Sequence, residues 1–181
     1  FNQLGFENAE ILVLGAGGFT LSHKDPTNNQ YTYVDIDPEI KKVAEEDFLN
    51  EKINGKFVAQ DARVFLNRSD KKYDVIFVDL YTHVISMPWH ASTVEFMNLL
   101  KKHVKKDGVV AFNIISNRLF SGKHSKNMYK TIQTVFPFCY VDSNLVKTDN
   151  VNISNVIFTC SPDSGEDTVI YVDDKAFQPK Y

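Results

Sequence analysis

Short apolar runs alternate with amphipathic stretches along most of the chain. Residues 11–14 (Ile-Leu-Val-Leu) contain no polar position, which is typical of a strand buried on both faces of a sheet. Between such runs, apolar residues recur three and four positions apart and predict helices. This alternation predicts an α/β fold with a Rossmann-like, doubly wound and mostly parallel sheet. The predicted strands are 11–14, 31–35, 56–60, 73–79 and 109–115, and the predicted helices are 38–50, 61–66, 89–103 and 128–135, with a short helix at 19–23.

The C-terminal part predicts a reversal of chain direction. Two further strands, 137–141 and 155–160, are separated by a polar loop, as in an antiparallel closing pair. The sheet would then have seven strands, with one antiparallel strand near its end. We expect one domain over 1–160 and a tail or edge strand over 161–181, where residues 169–172 are apolar enough to form a strand.

The first strand is followed by a turn that is almost bare of side chains. It contains Gly15, Ala16 and Gly17, and the second strand ends about twenty residues later on Asp35, followed by Ile36. In nucleoside-binding folds such a turn lets backbone N–H groups approach the ligand, and the acid accepts hydrogen bonds from the ribose hydroxyls. We therefore predict that these five residues contact an adenosine-like ligand; the spacing also fits NAD.

Two later strands also end on an acidic residue. Asp61 follows the third strand, and Asp79 ends the fourth. Because the carboxyl ends of parallel strands meet at one edge of the sheet, Asp35, Asp61 and Asp79 are expected at a common crevice. Asp61, next to Ala62, could accept from an adenine amine or cap the following helix, and both roles stay open. Tyr81 is predicted at the same crevice.

Composition and charge exclude several classes of protein. The chain has 181 residues, a net charge of −3 and a pI near 5.9, which argues against a nucleic-acid surface. No apolar run approaches the roughly 20 residues that span a bilayer, so we expect a soluble segment without direct membrane contact. Cys139 and Cys160 are far apart and lack histidine partners at metal spacing, which predicts neither a zinc site, nor any other metal site, nor a disulfide. A reducing, cytoplasmic location follows as an expectation.

Taken together, the motifs resemble those of a known family. The segments 11–20, 34–38, 61–66, 73–79 and 107–110 are similar, in order and spacing, to the spermidine synthase family of polyamine aminopropyltransferases. That family belongs to the class I S-adenosylmethionine-dependent methyltransferase superfamily. The resemblance covers about residues 9–116 and is greatest to divergent members in which this domain follows a membrane-spanning part. Since the chain starts at Phe1 with a buried strand ten residues later, we expect it to be a piece of a longer protein.

The resemblance implies aminopropyl transfer in polyamine biosynthesis. Decarboxylated S-adenosylmethionine would be the donor, a diamine such as putrescine the acceptor, and methylthioadenosine the leaving product. By position, Asp35 would hold the ribose, and Asp61 with Ala62 would hold the adenine. Asp79 would be the catalytic carboxylate: it binds the attacking amine and helps to remove its proton, with assistance from Tyr81.

Three departures from the family keep other functions open. Family members carry an acid in the glycine loop, where this chain has Gly18 or Phe19, and another three residues after the catalytic acid, where it has Thr82. The family's N-terminal β-hairpin domain, which helps its members to oligomerise and closes one side of the acceptor site, is also absent from this sequence. Whether the protein forms a homodimer stays open. The alternatives are methyl transfer from S-adenosylmethionine to a small acceptor, and a non-catalytic nucleoside-binding domain.

Overall fold

A single seven-stranded sheet organises the chain. The computed structural model describes residues 5–81, 87–116, 122–141 and 154–162. The strand order is β3-β2-β1-β4-β5-β7-β6; β7 runs antiparallel to both of its neighbours, and the other adjacent pairs are parallel. This architecture confirms the predicted α/β class, the strand number and the single reversed strand. The strands are β1 Glu10–Leu14, β2 Gln30–Asp35, β3 Lys56–Ala59, β4 Tyr73–Val78, β5 Val104–Ser116, β6 Phe138–Val141 and β7 Ser154–Ser161.

The helices lie where the sequence predicted them, but their bounds, type and burial differ from the prediction. The predicted helix over 38–50 is α-helical only over Ile40–Val43 and continues as a π-helix over Ala44–Phe48. Its predicted apolar stripe is partly wrong, because the side chains of Val43 and Phe48 are 48% and 62% exposed. The α-helices are α1 Ile40–Val43, α2 Ala62–Asn67, α3 Val94–His103 and α4 Lys123–Val135, with a 3-10 turn at Trp89–Ala91.

No helix connects β1 to β2, so the prediction of a short helix at 19–23 is wrong. Phe19 and Lys24 both have φ near +56°, a left-handed conformation that interrupts a right-handed helix. The Phe19 side chain is buried instead, with its ring centroid 4.7 Å from that of Tyr33 and 5.6 Å from that of Phe57. An aromatic cluster therefore covers this face of the sheet where many nucleotide-binding folds place a helix.

Side chains of the central strands alternate between two cores. In β1, Leu12 and Leu14 join the cluster that packs against α2, α3 and α4, whereas Ile11 and Val13 join the cluster around Phe19. All four are at most 2% exposed. Because consecutive residues of a strand point to opposite faces, an uninterrupted apolar run is what a sheet covered on both sides requires.

The cysteines overturn one expectation. Cys139 and Cys160 stand opposite each other in the antiparallel register of β6 and β7 and form a disulfide. They are 21 residues apart in the chain, so only strand pairing brings their Cα atoms to 4.1 Å. The expected cytoplasmic location therefore no longer has support from unpaired cysteines.

Two remaining expectations concern the sheet edge and membranes. The edge strand predicted at 169–172 lies outside the described residues, as does nearly all of the predicted tail. Within the ranges that the structure describes, no helix combines the length and the hydrophobicity needed to cross a bilayer.

Candidate active site

A cavity of about 350 Å³ opens at the carboxyl ends of the central strands. The chain direction explains its position, because the parallel strands β1, β2, β3 and β4 all end at this edge. Ala16, although predicted as a contact, does not line the cavity; its side chain is buried. The other eight predicted site residues all line it: Gly15, Gly17, Asp35, Ile36, Asp61, Ala62, Asp79 and Tyr81.

Gly15 allows the ends of β1 and β4 to come together. Its φ is +91°, and a Cβ atom at this position would lie 2.1 Å from the Asp79 carbonyl oxygen. The Asp79 N–H donates to the Leu14 carbonyl oxygen at 2.8 Å, and the Gly15 N–H donates to that of Val34 at the same distance. A side chain at residue 15 would therefore push β4 and Asp79 away from β1.

Asp35 is held by backbone donors from two segments. One carboxylate oxygen accepts from the Ala16 N–H at 2.8 Å, and the other accepts from the Asp37 N–H at 3.0 Å. Each oxygen of a carboxylate can accept a further hydrogen bond, so Asp35 can still receive ligand hydroxyls. Ala16 thus orients Asp35 through its backbone, and Ile36 stands at the rim with 73% of its side chain exposed.

Asp61 has the helix-capping role that was one of its two predicted roles. Its Oδ1 accepts from the Val64 N–H at 2.9 Å at the start of α2, while its Oδ2 lies 3.3 Å from Nε2 of His90. Arg63 donates to the His90 carbonyl oxygen at 2.9 Å and so ties the 3-10 turn to α2. Sequence reasoning missed His90, because nothing along the chain places residue 90 next to residue 61.

Asp79 is a partly buried acid whose titration is shifted by its surroundings. Burial raises the pKa of its carboxyl above the usual range, and a hydrogen bond from Nδ2 of Asn113 at 2.8 Å opposes part of that rise. The Tyr81 hydroxyl donates to the Asn113 carbonyl oxygen at 2.6 Å. Burial and the neighbouring Asp79 carboxylate raise the pKa of Tyr81 as well, so this hydroxyl keeps its proton.

Asn113 is a site residue that sequence reasoning missed. It lies in β5, and its signal was a single polar residue inside the apolar run 109–115. Besides its bonds to Asp79 and Tyr81, its side-chain Oδ1 is buried without a partner among the described residues. Such an atom is costly to bury, which makes it a candidate for contact with a ligand.

No metal centre is seen in the described part of the chain, where no three His, Cys, Asp or Glu side chains cluster closely enough to hold an ion.

The sheet order and this cavity together define a methyltransferase-like α/β fold with a site at the strand ends. One structure with this fold, human methyltransferase-like protein 13 in complex with SAH, has a TM-score of 0.67 over 90% of this chain and 75% of that chain, at 22% identity. The chain itself belongs to the spermine/spermidine synthase domain family, whose model matches residues 5–163.

The chain is also similar to one curated protein in sequence and to another solved structure in fold. A probable polyamine aminopropyl transferase of Bifidobacterium longum (strain NCC 2705) is 33% identical over 165 residues, which are 88% of this chain but 35% of the relative. A probable spermidine synthase from Corynebacterium glutamicum has a TM-score of 0.70 at 22% identity, over 88% of this chain and 59% of that chain. The chain thus spans about a third of the length of its curated relative.

The close contact at Gly15 predicts that adding one methyl group there lowers the stability of the fold substantially. We expect Gly15→Ala to lower the free energy of unfolding by about 2–4 kcal/mol, because it adds a backbone clash to an unfavourable φ. Gly17→Ala is the matched control: its φ is +50°, but nothing lies within 4 Å of an added Cβ, so only about 1 kcal/mol should be lost. Urea unfolding measures both, and equal losses would contradict the proposed close approach.

Proposed function

We propose that this domain transfers an aminopropyl group from decarboxylated S-adenosylmethionine to an amine and releases methylthioadenosine. The observation that carries the proposal is the buried carboxylate of Asp79, which faces the same cavity as Asp35 and Asp61. Family membership and the named activity of the Bifidobacterium relative support it.

The nucleoside part of the donor fits the side of the cavity formed by β1, β2 and α2. Gly15 and Gly17 leave room for the ligand beside the backbone, and Asp35 accepts hydrogen bonds from the ribose hydroxyls. Ile36 packs against the adenine ring at the rim. Asp61 accepts from the adenine amine beside Ala62, while its other bonds to Val64 and His90 hold the carboxylate in place.

The transfer step is a displacement at the carbon next to the sulfonium. The amine nitrogen forms the new N–C bond, the C–S bond breaks, and its electron pair stays on sulfur as the neutral thioether of methylthioadenosine. The nitrogen must lose a proton, and the Asp79 carboxylate orients the amine and accepts that proton. A carboxyl pKa raised by burial suits a proton acceptor better than an ordinary one. Tyr81 accepts a hydrogen bond from the same amine, and Asn113 positions Asp79.

Methyl transfer from intact S-adenosylmethionine is the second candidate, and the glycine turn favours it. In the described turn over 15–20 no side chain is acidic, so the ammonium of a decarboxylated donor would lack a counter-charge there, whereas the intact donor carries its own carboxylate beside that ammonium. The ring of Phe48 covers Gly18, where an added Cβ would lie 2.7 Å from a ring carbon. A non-catalytic nucleoside-binding domain is compatible with the same observation.

Donor preference separates these functions. Calorimetry with decarboxylated S-adenosylmethionine, S-adenosylmethionine, methylthioadenosine and NAD should show the decarboxylated donor binding on the order of 10-fold more tightly than the intact donor. Addition of an amine should then release methylthioadenosine. Preference for the intact donor supports methyl transfer, and binding without turnover supports the non-catalytic domain. Preference for NAD would overturn both transfer reactions.

Asp79→Asn should separate catalysis from stability. We expect turnover to fall on the order of 10²–10⁴-fold while methylthioadenosine affinity changes only a few-fold, because Asn cannot accept the proton. The variant should also unfold at a higher temperature at pH 7. The folded-state pKa of Asp79 is raised, so its ionised form opposes folding above that pKa. The gain should therefore vanish as the pH falls below the ordinary carboxyl pKa.

The control for Asp79→Asn is Asp74→Asn, at the opposite end of β4. Asp74 lies 2.8 Å from the Lys105 ammonium and accepts from the Glu10 N–H, remote from the cavity. That variant should lose stability at pH 7 and keep its turnover. If Asp79→Asn retains full turnover, Asp79 has no catalytic role.

Two substitutions at Asp61 separate helix capping from ligand binding. Asn also caps helices well, so Asp61→Asn should change the free energy of unfolding by less than about 0.5 kcal/mol, whereas Asp61→Ala should lose about 1 kcal/mol. Both should weaken methylthioadenosine binding by roughly 10-fold, because neither presents a carboxylate to the adenine amine. Thermal unfolding and calorimetry measure the two effects, and unchanged affinity in both variants would leave Asp61 as a cap only.

A further inference from the structure

A second, smaller pocket shares Tyr81 with the cavity and is lined by none of the predicted nucleoside contacts. Its volume is about 10 Å³, room for about one water molecule. Asn113, which donates to the Asp79 carboxylate, also lines this pocket. An acceptor whose amine lies at Asp79 would therefore extend its chain toward the small pocket. Its other main lining residues are Met87, Asn113, Ile115, His124 and Met128.

The walls of this small pocket are apolar or basic. Two methionines and two isoleucines supply its aliphatic lining, and α4 begins with Lys123 and His124 and has no acidic residue in its first turn. None of the described residues that line the small pocket is acidic. The sequence agrees beyond these residues, since no Asp or Glu occurs in 80–94 or in 108–141.

A diamine fits such walls poorly. One ammonium group can be paired with Asp79, but a second group removed from water needs a counter-charge of its own. An alkyl chain has no such requirement, and the flexible side chains of Met87 and Met128 can move to admit it.

The unpartnered atom of Asn113 supplies the remaining polar contact. Its Oδ1 is buried without a partner in the described structure, while its Nδ2 donates to Asp79. A primary amine beside Asp79 could donate one hydrogen to that carboxylate and another to this oxygen. With the hydrogen bond to Tyr81, all three hydrogens of the protonated amine are then bonded without a second acid.

We propose that the preferred acceptor carries one amino group on an apolar chain, and that it is not a diamine. This inference rests on the proposed aminopropyl transfer and narrows its substrate class. The apolar chain lies in the small pocket between Met87 and Met128, and the amine lies between Asp79 and Asn113.

The test compares n-butylamine with putrescine, which has the same carbon chain and one more amino group. With decarboxylated S-adenosylmethionine as donor and methylthioadenosine release as readout, we expect kcat/KM to be on the order of 10-fold higher for n-butylamine. Binding of both amines to the protein saturated with methylthioadenosine is measured in parallel by calorimetry. A higher kcat/KM, or tighter binding, for putrescine overturns the inference and leaves aminopropyl transfer intact.

The calorimetric measurement of amine binding distinguishes failure of the proposed aminopropyl transfer from failure of the proposed acceptor specificity. If no amine is turned over but n-butylamine binds more tightly than putrescine, the proposed activity fails and the specificity of the pocket stands. If neither amine binds to the methylthioadenosine complex, the pocket is not an acceptor site and the inference fails.

A variant that adds a carboxylate tests the electrostatic argument. His124 is exposed at the start of α4 and lines the small pocket, so His124→Glu should raise the preference for putrescine over n-butylamine roughly two- to five-fold. Asn127→Glu is the matched control, since it adds the same charge to an exposed position on α4 that does not line the pocket. An equal shift in both variants would show a general charge effect and contradict the proposed position of the chain.

Discussion

The close contact between the ends of β1 and β4 is the constraint on which the site depends. Gly15 leaves no side chain between the two strands, and the Asp79 N–H reaches the Leu14 carbonyl oxygen. This contact fixes where Asp79 leaves the sheet. Because Asp35 is in turn bonded to the N–H of Ala16, the same turn positions two of the three acids. One residue without a side chain therefore determines where Asp79 and Asp35 lie in the cavity.

The three acids differ because of their surroundings. Asp35 accepts two backbone N–H bonds, and Asp61 caps a helix and faces His90, so both carboxylates are well provided with donors. Asp79 has one amide donor, from Asn113, and burial raises the pKa of its carboxyl. Binding roles suit the first two acids, and proton transfer suits the third.

The far wall of the site comes from the C-terminal half of the domain. Asn113 lies near the end of β5, and α4 supplies His124 and Met128. The family model matches this half as well, and its side chains beside Asp79 are apolar and basic. The proposed nucleoside side thus carries acids, whereas none of the described residues that line the small pocket on the proposed acceptor side is acidic.

The sequence by itself determined the number of strands, the reversed last strand and the edge at which the acids meet, because buried strands and their terminal residues leave a local periodic pattern. The order of the strands in the sheet came from the structure. It erred at the segment after the glycine turn, where the left-handed Phe19 excludes a helix, and at the cysteines, whose pairing depends on the register of β6 and β7. Only the tertiary structure revealed Asn113 and His90 as partners of Asp79 and Asp61. Such contacts join residues about thirty positions apart, and their distances depend on how elements pack, which no local pattern encodes.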